Sequence, residues 1–386
     1  MKRRRLHARP RLSRDAERLA WLAQALADSG SRLEDAWLES EMAVLIEKLL
    51  RGDEEEAMNQ ALDRLHESSP RAYDDLADLI EAACEISRVG DTWRLILALP
   101  VLAWSRYAIP ARTLPRATLD GLRAQLSGHI LAPEARVHLA NFLFSPDQLP
   151  QGYCDTRAFA EALWASAAIG RDLELEEDTL PESQSFVSDV RYILAVVQVP
   201  VGRPVFRWNE SDGNRELALE SWRAQAGANL QPLLTGCSFE LLLPDAYFSA
   251  WRRADRETRP FALRAAVEYL KSLFNVPASQ LRAVAAPYYD RWLEEWRVGF
   301  TGIGSGDVVH GVTWPLLGGE DENADLAASI EALLRETGLG EVRILDARMP
   351  LEYCEDCGVP LFPNPDGESV HAELPEEMQG TPAHLH

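Results

Sequence analysis

The chain has little of what usually announces a function. Five cysteines are scattered through 386 residues, an odd set that makes a poor disulfide framework and agrees with a reducing compartment. No run approaches the roughly 18 unbroken apolar residues that a membrane span needs, so no membrane partner is expected. The N-terminus carries Lys2, Arg3, Arg4, Arg5, Arg9, Arg11 and Arg14 without an acid. No apolar segment follows them, which excludes a secretory or twin-arginine signal and makes a cytoplasmic location the expectation.

Positive charge is also scarce overall. Lys and Arg total 39 against 61 Asp and Glu, a net charge of -22, which excludes a broad nucleic-acid-binding surface because phosphates would be repelled over most of the body. The arm at residues 1–14 is the exception, and nucleic acid or ribosome contact is expected only through Lys2 to Arg14. As a chain end the arm is expected to be flexible and solvated.

Catalytic signatures are missing as well. There is no G-x-S-x-G elbow. The Gly-rich segment Gly299-Phe300-Thr301-Gly302-Ile303-Gly304-Ser305-Gly306-Asp307 has no helix after it and no Lys in reach, so it reads as a wide hairpin turn rather than a phosphate cradle. Cys84, Cys154 and Cys237 have His129, His138 and His310 as conceivable partners, although an isolated Cys in an apolar run is ordinarily a small core residue. His310, on a strand beside the Gly-rich turn, is the histidine most readily placed.

What is present is periodicity. Residues 12–30 carry Leu19, Leu22, Ala23 and Leu26 on one helical face, introduced by Ser13 and ended near Gly30. Helical spacing continues at 33–50, 54–66, 72–87, 92–106, 119–129, 133–144 and 156–168. An all-helical domain over 15–170, a bundle or solenoid-like stack, is therefore expected, with Trp93, Trp104, Tyr107, Phe159 and Trp164 in its core. At 171–188 six acids, Pro181 and serines replace the apolar stripe, the pattern of an exposed acidic linker.

From there the period changes. Residues 190–201, rich in Val and bounded by Pro200 and Gly202, read as a buried strand. A helix at 215–230, a strand at 237–243 and a helix at 259–274 follow. Strands at 281–289, 295–301 and 307–314, a helix at 324–336 and a strand at 341–346 complete the pattern. The order implies an α+β sandwich of ferredoxin-like character over 189–348, with a doubly wound parallel sheet as the runner-up.

The tail at 349–386 holds the one cluster with metal-ligand spacing, Tyr353-Cys354-Glu355-Asp356-Cys357-Gly358. A C-x2-C pair brings two thiolates to one ion, and Gly358 can take the positive φ of such a turn. Thirteen residues separate Cys357 from His371, the usual interval to a first zinc histidine. His384 comes later than the usual spacing of about three to five residues. The expected ligand set is Cys354, Cys357, His371 and His384, with His386, Glu373 or a group from another subunit as alternatives for the fourth place. Glu355 and Asp356 are expected to raise the thiol pKa, which counts against a redox dithiol.

Ser13-Arg14-Asp15-Ala16-Glu17-Arg18-Leu19, Leu102-Ala103-Trp104-Ser105-Arg106-Tyr107-Ala108-Ile109-Pro110 and the cysteine knuckle together resemble an uncharacterised family of bacterial cytoplasmic proteins classed as a domain of unknown function. The likeness covers nearly the whole chain and implies a bacterial cytoplasmic origin, without an activity or cofactor. The function expected is a non-enzymatic interaction or regulatory protein with a structural zinc site, a protein partner and room for homo-oligomers. A hydrolase or transferase with its site in the cleft between the halves is the alternative, and RNA contact through the arm the third.

Overall fold

The computed structural model of the protein describes residues 12–183, 187–318, 320 and 323–374. Of the basic arm only its end, including Arg14, is described, and His384 and His386 lie outside the described residues.

Four helices open the chain: α1 (Arg14–Asp28), α2 (Arg32–Arg51), α3 (Glu55–Ser68) and α4 (Pro70–Glu85). Ser13 starts the first, its hydroxyl accepting the Ala16 amide at 3.1 Å and satisfying one donor that a helix start leaves open. Leu19, Met42, Ile46, Met58, Leu76 and Ile80 are buried together, so the amphipathic stripes close into a bundle as the spacing predicts.

After Glu85 the helical expectation fails. β1 (Ile86–Val89) turns through Gly90, at φ 59°, into β2 (Thr92–Trp104). Residues 92–106 read as a helix because their apolar run does not alternate. It does not alternate because both faces of the strand are buried: Ile96, Ala98 and Leu102 enter one core, while Leu97, Leu99 and Val101 enter another. Pro100 is accommodated because its carbonyl accepts the Leu242 amide at 3.1 Å, so the side lacking an N–H faces an interruption in the ladder.

β3 (Arg112–Thr113) and α5 (Arg116–Gln125) follow, the helix continued by one π turn to Ile130. Residues 133–144, also expected as helix, instead form β4 (Arg136–Leu139) and β5 (Phe142–Leu143). Next come α6 (Tyr153–Ala168), β6 (Ser188–Pro200), α7 (Arg215–Leu230), β7 (Ser238–Leu241) and β8 (Asp245–Ala246). β2 and β6 pair antiparallel along their full length, and the first sheet runs β1-β2-β6-β4, with β7 and β8 also on β2. Ala160 and Leu163 of α6 cover one face, and Leu122 of α5 with Trp222 and Ala226 of α7 cover the other. Trp104 and Trp164 are core as expected, whereas Trp93 and Tyr107 are exposed.

In the segment expected at 171–188 as an exposed acidic linker, several described residues are tied to the first sheet and its core. Asp172 accepts the Leu139 amide at 3.0 Å and pairs with Arg123. Leu173, Leu175 and Leu180 pack against the core beneath them. The segment leads from α6 into β6, whose partner β2 lies in the part expected to be all-helical, so one sheet draws on both sides of the proposed boundary.

α8 (Tyr247–Phe274) links this sheet to a second one. Ala250 and Ala254 pack on the first sheet, and Leu263, Val267 and Leu270 on the second. Pro260 stands where the helix changes partner and removes the amide that would bond the Arg256 carbonyl. The second sheet is built from β9 (Leu281–Tyr289), β10 (Leu293–Gly302), β11 (His310–Pro315), then, after α9 (Leu326–Glu336), β12 (Glu341–Ile344) and β13 (Met349–Pro350). Its order is β11-β10-β9-β12, with β13 also on β9. β9, β10 and β11 form an antiparallel meander, and only β12 and β13 run parallel to β9, which excludes a doubly wound parallel sheet. The described residues thus form a mixed α+β protein with its helices mostly N-terminal and its strands mostly C-terminal.

Candidate metal centre and adjoining cleft

The tail crosses the face of the second sheet opposite α8 and α9, and polar anchors hold it there. Arg297 on β10 is fully buried. Its Nη1 donates to the carbonyls of Glu352 at 2.6 Å and Leu361 at 2.8 Å, and its Nε to Glu295 at 2.6 Å. The guanidinium lies over the rings of Tyr288 and Tyr353, so one cation is shared by two carbonyls, a carboxylate and two aromatic faces.

β14 (Phe362–Pro363) and β15 (Ser369–Val370) form a small antiparallel ladder within the tail. It approaches the sheet at Gly299 and Gly311, which are register partners on β10 and β11. A Cβ on Gly299 would meet the Pro363 carbonyl at 2.4 Å, and one on Gly311 the Phe362 ring at 2.3 Å. Gly299 thus makes room for a crossing backbone and Gly311 for an aromatic ring laid on the sheet. The Gly-rich segment after Gly299 is the hairpin turn expected between β10 and β11, with Gly304 at φ 89°.

Between the anchors lies the cysteine knuckle. Gly358 takes φ 72°, its amide donates to the Cys354 carbonyl at 2.8 Å, and the Cys354 amide donates to the Val359 carbonyl at 2.8 Å. This tight turn sets both sulfurs on one side. His371 completes the group: its Nε2 stands 3.2 Å from Cys357 Sγ, and the ligand atoms of Cys354, Cys357 and His371 all lie within 4.8 Å of one another. On the far side of the ring, Nδ1 is 3.3 Å from a carboxylate oxygen of Glu373. The approach is not a hydrogen bond, but it lies on the outer side from which a carboxylate can orient a ligating imidazole, so Glu373 stands behind the histidine instead of beside the sulfurs. The thiol at Cys354 is held below its ordinary pKa, because the Asp356 and Cys357 amides donate to its sulfur and outweigh the Asp356 charge. The expectation of a raised pKa at Cys354 is corrected by these backbone donors. Three of the four expected ligands are therefore together, and the fourth, His384, lies outside the described residues.

The tail also forms one wall of an open cleft of about 710 Å³. Val359, Pro360 and Phe362 contribute that wall, β6 and β11 two others, and α8 the floor through Trp251, Asp255 and Arg259. His310 lines it too, its ring near Tyr269 at 5.7 Å, Phe300 at 6.3 Å and Trp104 at 6.4 Å between centroids. Burial there pushes the imidazole down to about 4, so it is neutral at ordinary pH. Among the described residues no carboxylate is hydrogen-bonded to it.

The remaining cysteines are packing groups. Cys84 Sγ lies 3.4 Å from the Tyr153 carbonyl and Cys237 Sγ 3.9 Å from that of Ala108. Burial pushes all three thiols up, that of Cys154 to about 11. Arg297 and Asp255 were invisible to motif reading, because a single charged residue inside a strand or helix has no spacing signature. The one available signal for Arg297 was a single basic residue within the apolar part of its strand.

Over residues 4–385 the chain matches the family described as Protein of unknown function (DUF2863), and it belongs to that family. No curated protein and no solved structure matches it.

Proposed function

We propose that the protein is a non-enzymatic binding or regulatory protein in which a structural zinc ion joins Cys354, Cys357 and His371 and staples the tail to the second sheet. The observation that carries this reading is the mutual approach of the three ligand atoms within 4.8 Å. Zinc bonds of roughly 2.3 Å to sulfur and 2.0 Å to nitrogen separate two donors by about 3.5 Å at a tetrahedral angle, and the Cys357 to His371 separation is 3.2 Å. Two thiolates and an imidazole are the donor set of structural zinc sites, which favours holding over chemistry.

His384 is the fourth ligand in this reading. A ligand from a second subunit is the alternative, and would make the site a homo-oligomer contact. The exposed side chains of Trp21, Leu33, Trp37 and Val44 on α1 and α2 supply apolar surface for a protein partner. The layer plan, two helices on one face of the second sheet, is compatible with ferredoxin-like character. A hydrolase or transferase centred on His310 has less support, because its ring sits among aromatics with no carboxylate bonded to it.

Metal analysis tests the proposal. One zinc per chain is expected, lost in Cys354→Ser and Cys357→Ser, with faster amide exchange over 349–374 and little change in the first sheet. Metal-free protein whose tail exchanges as slowly as that of the zinc-loaded form would end it.

A further inference from the structure

The cleft beside the metal centre has an aromatic wall and one carboxylate that no ion pair or hydrogen bond engages among the described residues. Two acids line it, Asp189 and Asp255, and a third, Glu320, is bound to Arg259 of its floor. Asp189 is paired with Arg191, whose guanidinium also donates to the Pro110, Val190 and Ile109 carbonyls. Glu320 is held in a two-point pair by Arg259 at 2.7 and 3.0 Å, and Arg259 further donates to the Pro315 carbonyl and lies over Trp314. Asp255 is different: among the described residues its carboxylate makes no ion pair and no hydrogen bond, although it is half-buried in the cleft floor.

Its surroundings are aromatic. Trp251, Asp255, Thr258, Arg259 and Ala262 line the cleft from one face of α8, as spacings of three and four residues require. Trp251 stands 6.1 Å from Tyr192 between ring centroids, and Trp104 and His310 lie farther along the wall. Desolvation raises the Asp255 carboxyl against the pull of Arg256 and Arg259. The neutral His310 brings no cation to offset it. A half-buried carboxylate without a partner is costly unless a ligand supplies the opposite charge, and Trp and Tyr faces attract cations through their quadrupole. The volume of about 710 Å³ suits a small molecule.

We infer that this cleft binds a small organic cation, an ammonium group on an apolar body, with the charge on Asp255 and the body against Trp251 and the wall formed by the tail. The inference rests on the binding-protein reading above and extends it by naming the ligand chemistry.

Calorimetry on the full, metal-loaded chain with three matched probes tests it: phenethylammonium, neutral 2-phenylethanol and anionic phenylacetate. Phenethylammonium is expected to bind saturably and about ten-fold or more tighter than either of the others. Asp255→Asn is expected to remove about ten-fold of the ammonium affinity and to leave phenylethanol within about two-fold, with the fold checked by circular dichroism. Asp255→Ser serves the same purpose should the Asn variant not fold. Equal affinity for the three probes, a preference for phenylacetate, no saturable ammonium binding, or ammonium affinity unmoved by loss of the Asp255 charge would each overturn the inference. Zinc content measured on the same samples separates the two proposals: ammonium selectivity in zinc-free protein supports the cleft and removes the staple, whereas zinc-loaded protein that binds no ammonium removes the cleft alone.

Discussion

The two sheets are covered in opposite ways. The first is sandwiched by helices, and its central strands send alternate side chains into two apolar cores, Leu194 and Val196 to one side and Ile193 and Ala195 to the other. Among the described residues the second has helices on one face only. Its other face carries an irregular tail, with a small apolar contact of Ala286, Tyr288 and Met349 supplemented by Arg297, two glycines and the knuckle. Apolar burial needs only area and shape. A tail with little regular hydrogen bonding must have its backbone groups satisfied by side chains and must fit close to the sheet. The first cover is therefore expected to be lost only with the whole fold, and the second to detach by itself.

The sharpest test of that contrast is Arg297→Ala. It strands two carbonyls and the Glu295 carboxylate, and a loss of about 3–5 kcal/mol is expected, read as fast amide exchange in 349–374 while β2 and β6 keep their protection. Equal loss in both sheets would erase the distinction. Leu194→Ala, in the doubly covered sheet, is expected to cost about 2–5 kcal/mol in a single cooperative denaturant transition that all probes share.

Gly311→Ala is milder. The added methyl meets the Phe362 ring at 2.3 Å, and about 1–3 kcal/mol of overpacking should appear as local opening of the tail and weaker metal retention, with β2 unchanged. A variant that holds metal and tail as the parent does would show that the close approach is not required.

The smallest effect concerns the junction of the bundle with α8. Glu85 is buried, and its carboxylate accepts the Phe248 amide at 3.2 Å. Burial, opposed by that amide, pushes it up to about 7. Since the folded pKa exceeds the unfolded one of 4.5, its contribution is full below about pH 4.5 and is lost as pH rises through about 7. Glu85→Gln should flatten that part of the stability profile and gain on the order of 1–3 kcal/mol at pH 8, measured by denaturation across pH. An unchanged slope would remove Glu85 as its source.

Much of this was legible in the chain. The bundle stripes around Leu19 and Leu76, the Val-rich β6, the meander from β9 to β11, α9 and the C-x2-C turn follow from local spacing and turn chemistry. β2 was not, because a strand buried on both faces has the same unbroken apolar run as a buried helix. Nor was the strapping of Leu173 and Leu175 to the first sheet, since an acidic stretch looks solvated until its few apolar residues are seen to have a partner.

By itself the sequence determined the four helices that open the chain, that no run of roughly 18 unbroken apolar residues occurs, and that two cysteines and a histidine have ligand spacing; it placed the start of α8 twelve residues late. Local periods and caps act within a few residues, so they are written in order along the chain. Only the tertiary structure decided that Glu373 stands behind His371, that Gly299 and Gly311 make room for Pro363 and Phe362, and that Asp255 makes no ion pair among the described residues while Asp189 and Glu320 do. Those are relations between residues remote in sequence, fixed by which surfaces exclude water together, and no single segment contains them.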